Sequence, residues 1–244
     1  MVIESSAPSC EANRSRDAGG IILGIESTAH TFSIGWVDGL GVPGKSVSSF
    51  VRPIKGGIHP REAADHHAKN AGNILQELLD NDVQLRDVKA IAFSQGPGLG
   101  PCLRIGASVA RSLAIQLNVP LVGVNHCVAH IEVGRERCDC DDPVLLYASG
   151  GNTQVIARLD GKYRVLGETL DIGIGNMLDK FAREQGIPFP GGPKIESLAL
   201  EWLRDNPDPS LEGLELPYAV QGMDLAFSGV LNAALNLVEK GVPL

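Results

Sequence analysis

"GIESTAHTFSIG" (24–35) sets an apolar strand, a bend of small and hydroxylated residues, and a second strand in immediate succession. "YASGGNTQV" (147–155) does the same more than a hundred residues later. Gly, Ser and Thr at such bends let backbone N–H groups come close to an anion, and the hydroxyls add hydrogen bonds. One bend of this kind is an ordinary β-turn. Two of them, each opening a similar succession of elements, decide how the rest of the chain is read.

Outward from the first bend, "IILGIES" (21–27), "TFSIGWV" (31–37) and "KSVSSFV" (45–51) read as three antiparallel strands. A helix begins at Pro60 and spaces Ala64, Ala68, Ala71, Leu75, Leu78 and Leu79 along one side. "AIAFSQ" (90–95) is a buried strand, "LRIGASVARSLAIQLN" (103–118) a helix and "PLVGVN" (120–125) another strand. Around the second bend, "PVLLYASGG", "NTQVIARLDG" and "YRVLGETL" are strands. They lead into a helix, "IGNMLDKFAREQG", with Gly186 placed as its C-cap. "FPGGPKIE" and "DNPDPS" read as Pro-rich connections, and "LAFSGVLNAALNLVEKG" as a closing helix. The expectation is a duplicated α/β fold with a mixed sheet in the first lobe. Residues 1–20 form a polar tail, 21–142 the first lobe, and 143–244 a second lobe lacking its last β-α-β. Paired phosphate-facing hairpins in like-folded lobes are the arrangement of the actin-like ATPase and sugar-kinase superfamily.

Bulk properties narrow the function. The chain has 244 residues, 43% hydrophobic and 20% charged, the balance of an ordinary globular protein. A net charge of −8 speaks against unaided binding of a polyanion. No apolar run reaches the roughly 20 residues needed to span a bilayer, so no membrane partner is expected. The opening twenty residues lack the apolar core of a secretory signal. Five cysteines at irregular spacing suit a reducing compartment. Cys138 and Cys140 read as solvent-facing or half-buried thiols, a zinc knuckle being the weaker alternative.

In "VNHCVAHIE" (124–132), His126 and His130 stand one helical turn apart on one face, the spacing with which a helix offers two imidazoles to one metal ion. A zinc-protease reading needs Glu directly after the first His, and here that residue is Cys127. The pair remains open between metal ligands and imidazoles bonded to backbone. "FSQGPGLGPCLRIG" (93–106) is a Gly-rich loop before a helix, able to meet an anion or simply to turn. Asp179 could accept from ribose hydroxyls, or be a solvated acid beside Lys180. Gly192 and Glu196 stay equally open from spacing alone. Arg52, Lys55 and Arg61 gather positive charge in an acidic chain, as a solvated loop or a tRNA contact. His66 and His67, adjacent on a helix, are expected to diverge.

Together, "SQGPGLGPCLR", "GVNHCVAHIE", "LYASGGNTQVIA", "GETLDIGIGNMLDKFAR" and "GMDLAFSG" resemble the catalytic subunits of the KEOPS complex. These form the archaeal and eukaryotic cytosolic branch of the tRNA threonylcarbamoyladenosine synthesis family. The resemblance runs from about Ile21 to Leu237. It implies a transferase that moves threonylcarbamoyl from its adenylate to the exocyclic amine of the adenosine beside the tRNA anticodon. It further implies one divalent metal ion, iron or zinc, held by His126, His130 and Tyr147. The adenine nucleotide would lie at Tyr147, Ala148, Ser149, Gly150, Gly151, Asp179, Gly192 and Glu196. The implied partners are tRNA, a small kinase-like subunit and a dimerisation subunit, in the cytoplasm and nucleus.

Two departures accompany the resemblance. Ser27 stands where many relatives carry Gly. The family's remaining Asp ligand, a Gly-rich motif and a nucleotide-touching Asn have no counterpart before Leu244. The chain is therefore expected to be a C-terminally truncated member that binds nucleotide feebly and transfers nothing by itself. The alternatives are an ATPase or kinase of the same superfamily and a non-catalytic KEOPS scaffold.

Overall fold

A computed structural model describes residues 19–51, 59–81, 83–207 and 213–242. The residues separate into two compact units, the chain passing from the first to the second at Val124–Asn125.

The first unit is built on a five-stranded sheet in the order β3-β2-β1-β4-β5. Its strands are β1 (Ile21–Glu26), β2 (Thr31–Asp38), β3 (Pro43–Phe50), β4 (Val88–Gly96) and β5 (Leu121–Asn125). β1 pairs antiparallel with β2, and β2 with β3, whereas β1 and β4 run parallel. Strand alternation sends Ile21, Leu23 and Ile25 of β1, with Phe32 and Ile34 of β2, into the core. There they meet Ala71, Ile74 and Leu78 of α1 (Pro60–Asn81), and Ala110, Leu113 and Ala114 of α2 (Gly100–Leu117). The Ile, Leu and Phe side chains among them contribute about 1.5–3 kcal/mol each on full burial. Three antiparallel strands followed by a parallel one give the mixed sheet of an actin-like lobe, as expected.

The inward face of α1 carries Ala64, Ala71 and Leu78 as expected, with one departure. Ala68 is exposed, and the wholly buried position belongs to His67. A buried imidazole is tolerated because its Nε2 bonds the Ala29 carbonyl at 2.9 Å, and burial lowers its pKa, keeping it neutral. His66 does not diverge from it. The two Nδ1 atoms lie 3.5 Å apart, and His66 Nε2 reaches Ser49 Oγ at 3.1 Å. The Gly-rich loop before α2 serves close packing. The Leu99 amide donates to the Thr28 carbonyl at 2.7 Å, and a Cβ on Gly98 would stand 2.6 Å from that same oxygen.

The second unit opens with α3 (His126–Cys138) and a three-stranded antiparallel sheet, β6 (Leu145–Ala148), β7 (Thr153–Leu159) and β8 (Lys162–Glu168). Then come α4 (Ile174–Glu184), α5 (Gly191–Asp205), the short pair β9 (Val220–Gln221) and β10 (Asp224–Leu225), and α6 (Ser228–Glu239). The expected boundary at 142/143 put α3 with the first lobe. Cys127 and Ile131 of α3 instead pack on Tyr147 and Ile156 of the second sheet, so the helix belongs to the second unit.

Two further expectations are corrected. "FPGGPKIE" is no connection but the entry to α5, because Pro193 in a first turn lacks only an amide that has no helical acceptor. Leu225 belongs to β10, and α6 starts only at Ser228. Gly186 follows α4 at φ +74°, and the Ile187 amide reaches back to the Ala182 carbonyl at 2.9 Å, the closure expected of a C-terminal glycine. Arg52 and Lys55, the tail up to Ala18 and part of "DNPDPS" lie outside the described residues. No helix among the described residues is long and apolar enough to cross a membrane.

Candidate metal and nucleotide site

Asn125 determines where α3 begins. Its Oδ1 accepts from the amides of Cys127, at 2.9 Å, and Val128, at 3.2 Å, and thereby caps the first turn. With the helix start fixed, two rows run along it. Cys127 and Ile131 are buried against the sheet, and His126 and His130 form the neighbouring row, half-buried and exposed respectively. On β6 the alternation buries Tyr147 and leaves Leu146 exposed, so the phenol ring faces α3.

These constraints bring three side chains together. The Nε2 atoms of His126 and His130 are 3.2 Å apart, with ring centroids at 4.7 Å and planes at 88°. The Tyr147 ring centroid lies 6.1 Å from that of His126 and 5.1 Å from that of His130. Two imidazole nitrogens on one tetrahedral ion, at about 2.0–2.1 Å each, stand roughly 3.3 Å from one another. The donor set and its spacing therefore fit a single first-row cation. Among the described residues no group of three His, Cys, Asp or Glu gathers here, and the Tyr147 ring packs beside the pair. Cys127 lies beneath the phenol. Burial pushes its thiol pKa up, opposed by a side-chain hydrogen bond with Tyr147 and by its own backbone.

The bend between β6 and β7 is built by Ser149. Its amide donates to the Asn152 carbonyl at 2.9 Å, its Oγ donates to the same oxygen at 2.8 Å, and it accepts from the Asn152 amide at 3.2 Å. This bend is also the cap of α4. Ile174 N donates to Thr153 Oγ1 at 2.9 Å, Gly175 N to the Ser149 carbonyl at 3.1 Å, and Asn176 N to the Gly150 carbonyl at 3.0 Å. Gly173 and Gly175 permit the approach, since a Cβ on either would stand under 3.0 Å from atoms of residues 149–152. The first amides of α4 are consequently occupied, and the exposed Gly150 and Gly151 are what the bend presents outward.

Asp179, Gly192 and Glu196, undecided by spacing, meet at one helix start. Asp179 Oδ1 accepts from Gly191 N, the first residue of α5, at 2.7 Å. Gly191 touches Ala182 so closely that a Cβ would lie 2.5 Å from the alanine methyl. Gly192 and Glu196 are one turn apart on the same helix, with Glu196 exposed. The Asp179 carboxylate takes the α5 backbone as its partner. Arg61 is exposed at the start of α1.

Sequence reading passed over Asp171. Its Oδ1 accepts from the amides of Ile172, at 2.6 Å, and Phe227, at 2.9 Å, while Oδ2 accepts from Ser228 N at 2.9 Å. It thus ties "GETLDIGIGN" to "GMDLAFSG" across more than fifty residues. Burial raises its pKa, but the amides of Ser228, Phe227 and Ile172 outweigh that and hold the carboxyl well below the usual range. The available signal was an Asp immediately ahead of a Gly-rich helix start.

Sheet order and hairpins define an actin-like α/β protein. The model of a family described as tRNA N6-adenosine threonylcarbamoyltransferase (TsaD) matches residues 45–241. The chain belongs to this family. It is 55% identical over 222 residues to a tRNA N6-adenosine threonylcarbamoyltransferase of Thermococcus kodakarensis, covering 91% of this chain and 65% of that protein. Its identity to the enzyme so named in Archaeoglobus fulgidus is 52% over 222 residues, covering 91% and 66%. A probable bifunctional tRNA threonylcarbamoyladenosine biosynthesis protein of Thermoplasma volcanium is 51% identical over 225 residues. There the match covers 92% of this chain and 41% of the relative, so the chain spans well under half of the bifunctional protein.

Proposed function

We propose that this chain serves the transfer of threonylcarbamoyl from threonylcarbamoyl-adenylate to the exocyclic amine of the adenosine next to a tRNA anticodon. The observation that carries the reading is the imidazole pair, Nε2 to Nε2 at 3.2 Å beside Tyr147, in a chain of this family. His126 and His130, with the Tyr147 oxygen, would hold one divalent ion, iron and zinc both suiting such ligands. When bound, the ion supplies a positive charge for phosphate or carbonyl oxygens of the mixed anhydride.

The remaining work falls to the chain. The bend Tyr147–Gly151 offers backbone at Gly150 and Gly151, where nothing but hydrogen crowds an approaching phosphate. Asp179, Gly192 and Glu196, on α4 and the start of α5, are the proposed partners of ribose and base. In the transfer, the adenosine nitrogen forms a bond to the carbamoyl carbon, the carbon–oxygen bond to phosphate breaks, AMP departs, and the amine proton goes to solvent. Positioning suffices for this step, because the anhydride already carries its leaving group. Arg52, Lys55 and Arg61 are the proposed tRNA contact, and further KEOPS subunits the proposed partners that offset a net charge of −8.

The test is transfer of labelled threonylcarbamoyl to tRNA by the chain together with the small kinase-like and dimerisation subunits of a relative. Modification by the wild type, with about a hundredfold loss in His126→Ala and Asp179→Ala at unchanged thermal stability, is the expected result. Equal rates in all three proteins would refute the assignment.

A further inference from the structure

Two thiols stand in the open at the end of α3. Cys138 is the last residue of the helix and Cys140 lies two residues on; both are exposed, while Cys102 and Cys127 are buried. Between them Asp139 caps the helix in the left-handed conformation, at φ +49° and ψ +47°. That conformation sets the distance across it. A left-handed residue coils the chain as tightly as a right-handed helical one, so helix dimensions put the Cα atoms on its two sides about 5.4 Å apart. An extended residue would hold them about 6.6–6.8 Å apart. Disulfides span Cα separations of about 4.4–6.8 Å, most often about 5.5–6 Å. The cap therefore places the pair close to the preferred separation, where an extended chain would leave it at the limit. The turn is also held in place. The Asp139 amide and, at 3.1 Å, the Cys140 amide donate to the Arg135 carbonyl, while Arg135 Nε donates to the Asp141 carbonyl at 2.9 Å. Glu132 anchors the same guanidinium at 2.9 Å.

We propose that Cys138 and Cys140 form a dithiol site that closes reversibly to an intramolecular disulfide by exchange with a small, positively charged disulfide. One thiol gives up its proton, and its sulfur attacks a sulfur of the small disulfide. The first small thiol is released and a mixed disulfide remains. The second protein sulfur, likewise deprotonated, attacks the protein sulfur of that mixed disulfide and releases the second small thiol. Two electrons pass from the protein to the small molecule, and the two protons lost by the cysteines balance those taken up by the released thiols. The charge of the co-reactant follows from the segment. Over residues 136–142, Glu136, Asp139, Asp141 and Asp142 outnumber the one base, Arg137. An anionic disulfide is repelled by such a segment and a cationic one is drawn to it. Exposed disulfides are the labile ones, so the site returns to the dithiol wherever small thiols are in excess. It lies outside the proposed metal and nucleotide residues and does not depend on that reading.

The experiment uses the full chain as wild type, Cys138→Ser, Cys140→Ser, Asp139→Gly and Asp139→Val, with circular dichroism and melting temperature as folding controls. Each protein is equilibrated with cystamine and cysteamine over a range of ratios, capped with N-ethylmaleimide and digested with trypsin. Cleavage after Arg137 and Arg158 yields residues 138–158, which hold Cys138 and Cys140 and no other cysteine. In the wild type this peptide should become two hydrogens lighter and refuse the capping reagent, and excess cysteamine should reverse both changes. Each Ser variant should instead carry one cysteamine as a mixed disulfide. Asp139→Gly should close like the wild type. Val is a poor left-handed residue, and Asp139→Val should lower the closed fraction about tenfold at equal ratio. At low salt, cystamine should oxidise the wild type several-fold faster than the anionic glutathione disulfide, a difference that about 1 M salt should largely remove. A wild-type peptide that takes up two cysteamines, or none, and never loses the two hydrogens would overturn the proposal. Equal closure in a folded Asp139→Val would overturn the part given to the cap, and equal rates with the two disulfides at low salt the charge assigned to the co-reactant.

Discussion

Replacing Asp171 tests how the second unit is held together. In Asp171→Ala the amides of Ile172, Phe227 and Ser228 lose the two oxygens that accept from them at 2.6 to 2.9 Å. Phe227 and Ser228 are the N-cap and first residue of α6, so the loss is that of a helix cap. Cap removal costs about 0.5–2 kcal/mol. Bonds to a charged acceptor fall at the upper end of such ranges, but Asp171 is exposed and its field is screened. A loss of about 2 kcal/mol follows, or a fall in melting temperature of about 4–8 °C for a chain of this size. Asp171→Asn retains one carbonyl oxygen but turns an NH₂ group toward a donor, and should lie between the two.

The pH dependence has a definite sign. The folded pKa is depressed, so the stabilisation is complete above the unfolded value of about 3.9 and disappears as pH falls toward the lower folded value. Urea unfolding at neutral pH and at pH 3, with amide exchange read at Phe227 and Ser228, separates the cases. Wild-type stability and unchanged exchange in Asp171→Ala would refute the capping role; an Asp171→Asn protein as stable as wild type would show that charge is irrelevant.

Other outcomes are equally definite. His126→Ala and His130→Ala should each abolish stoichiometric Zn²⁺ in mass-spectrometric metal analysis. Burial depresses the pKa of His67 against the opposing pull of the Ala29 carbonyl. Its contribution to stability is therefore complete above pH 6.5 and is lost as pH falls through the lower folded value, with His66 acting in the same direction. His67→Asn should flatten that acid limb in denaturant titrations. Gly167→Ala places a Cβ 1.6 Å from the Met223 carbonyl and should cost about 1–3 kcal/mol, read by thermal unfolding. Replacing Arg52, Lys55 and Arg61 together by Ala should lower tRNA affinity and shallow its salt dependence in filter binding.

Much of the fold was legible because its signals are local. Alternation in "IILGIE" and "TFSIGW", Pro60 at a first helical turn and Gly186 after α4 announce their elements without reference to anything distant. The spacing of His126 and His130 likewise follows from the pitch of one helix, and the long motifs sufficed for the family. Helix α5 escaped because its apolar residues remain largely outside. Leu198, Leu200, Trp202 and Leu203 are 41–49% exposed, and what holds its start is Asp179, twelve residues away. The buried place of His67 escaped because the Ala29 carbonyl, in the bend between β1 and β2, accepts its N–H, a partner no periodicity can reveal.

What the amino-acid order determined alone was therefore element type, the helical pairing of the imidazoles and membership of a family. Tertiary structure alone decided which neighbours share a place. It put Tyr147 and Cys127 beside the histidines, Ser149 and Gly150 over the first turn of α4, and Asp171 on the amides of α6. The physical reason lies in range. Propensity and periodicity act over a few residues, whereas satisfaction of buried amides, hydroxyls and thiols is settled by whatever packing brings within about 3 Å.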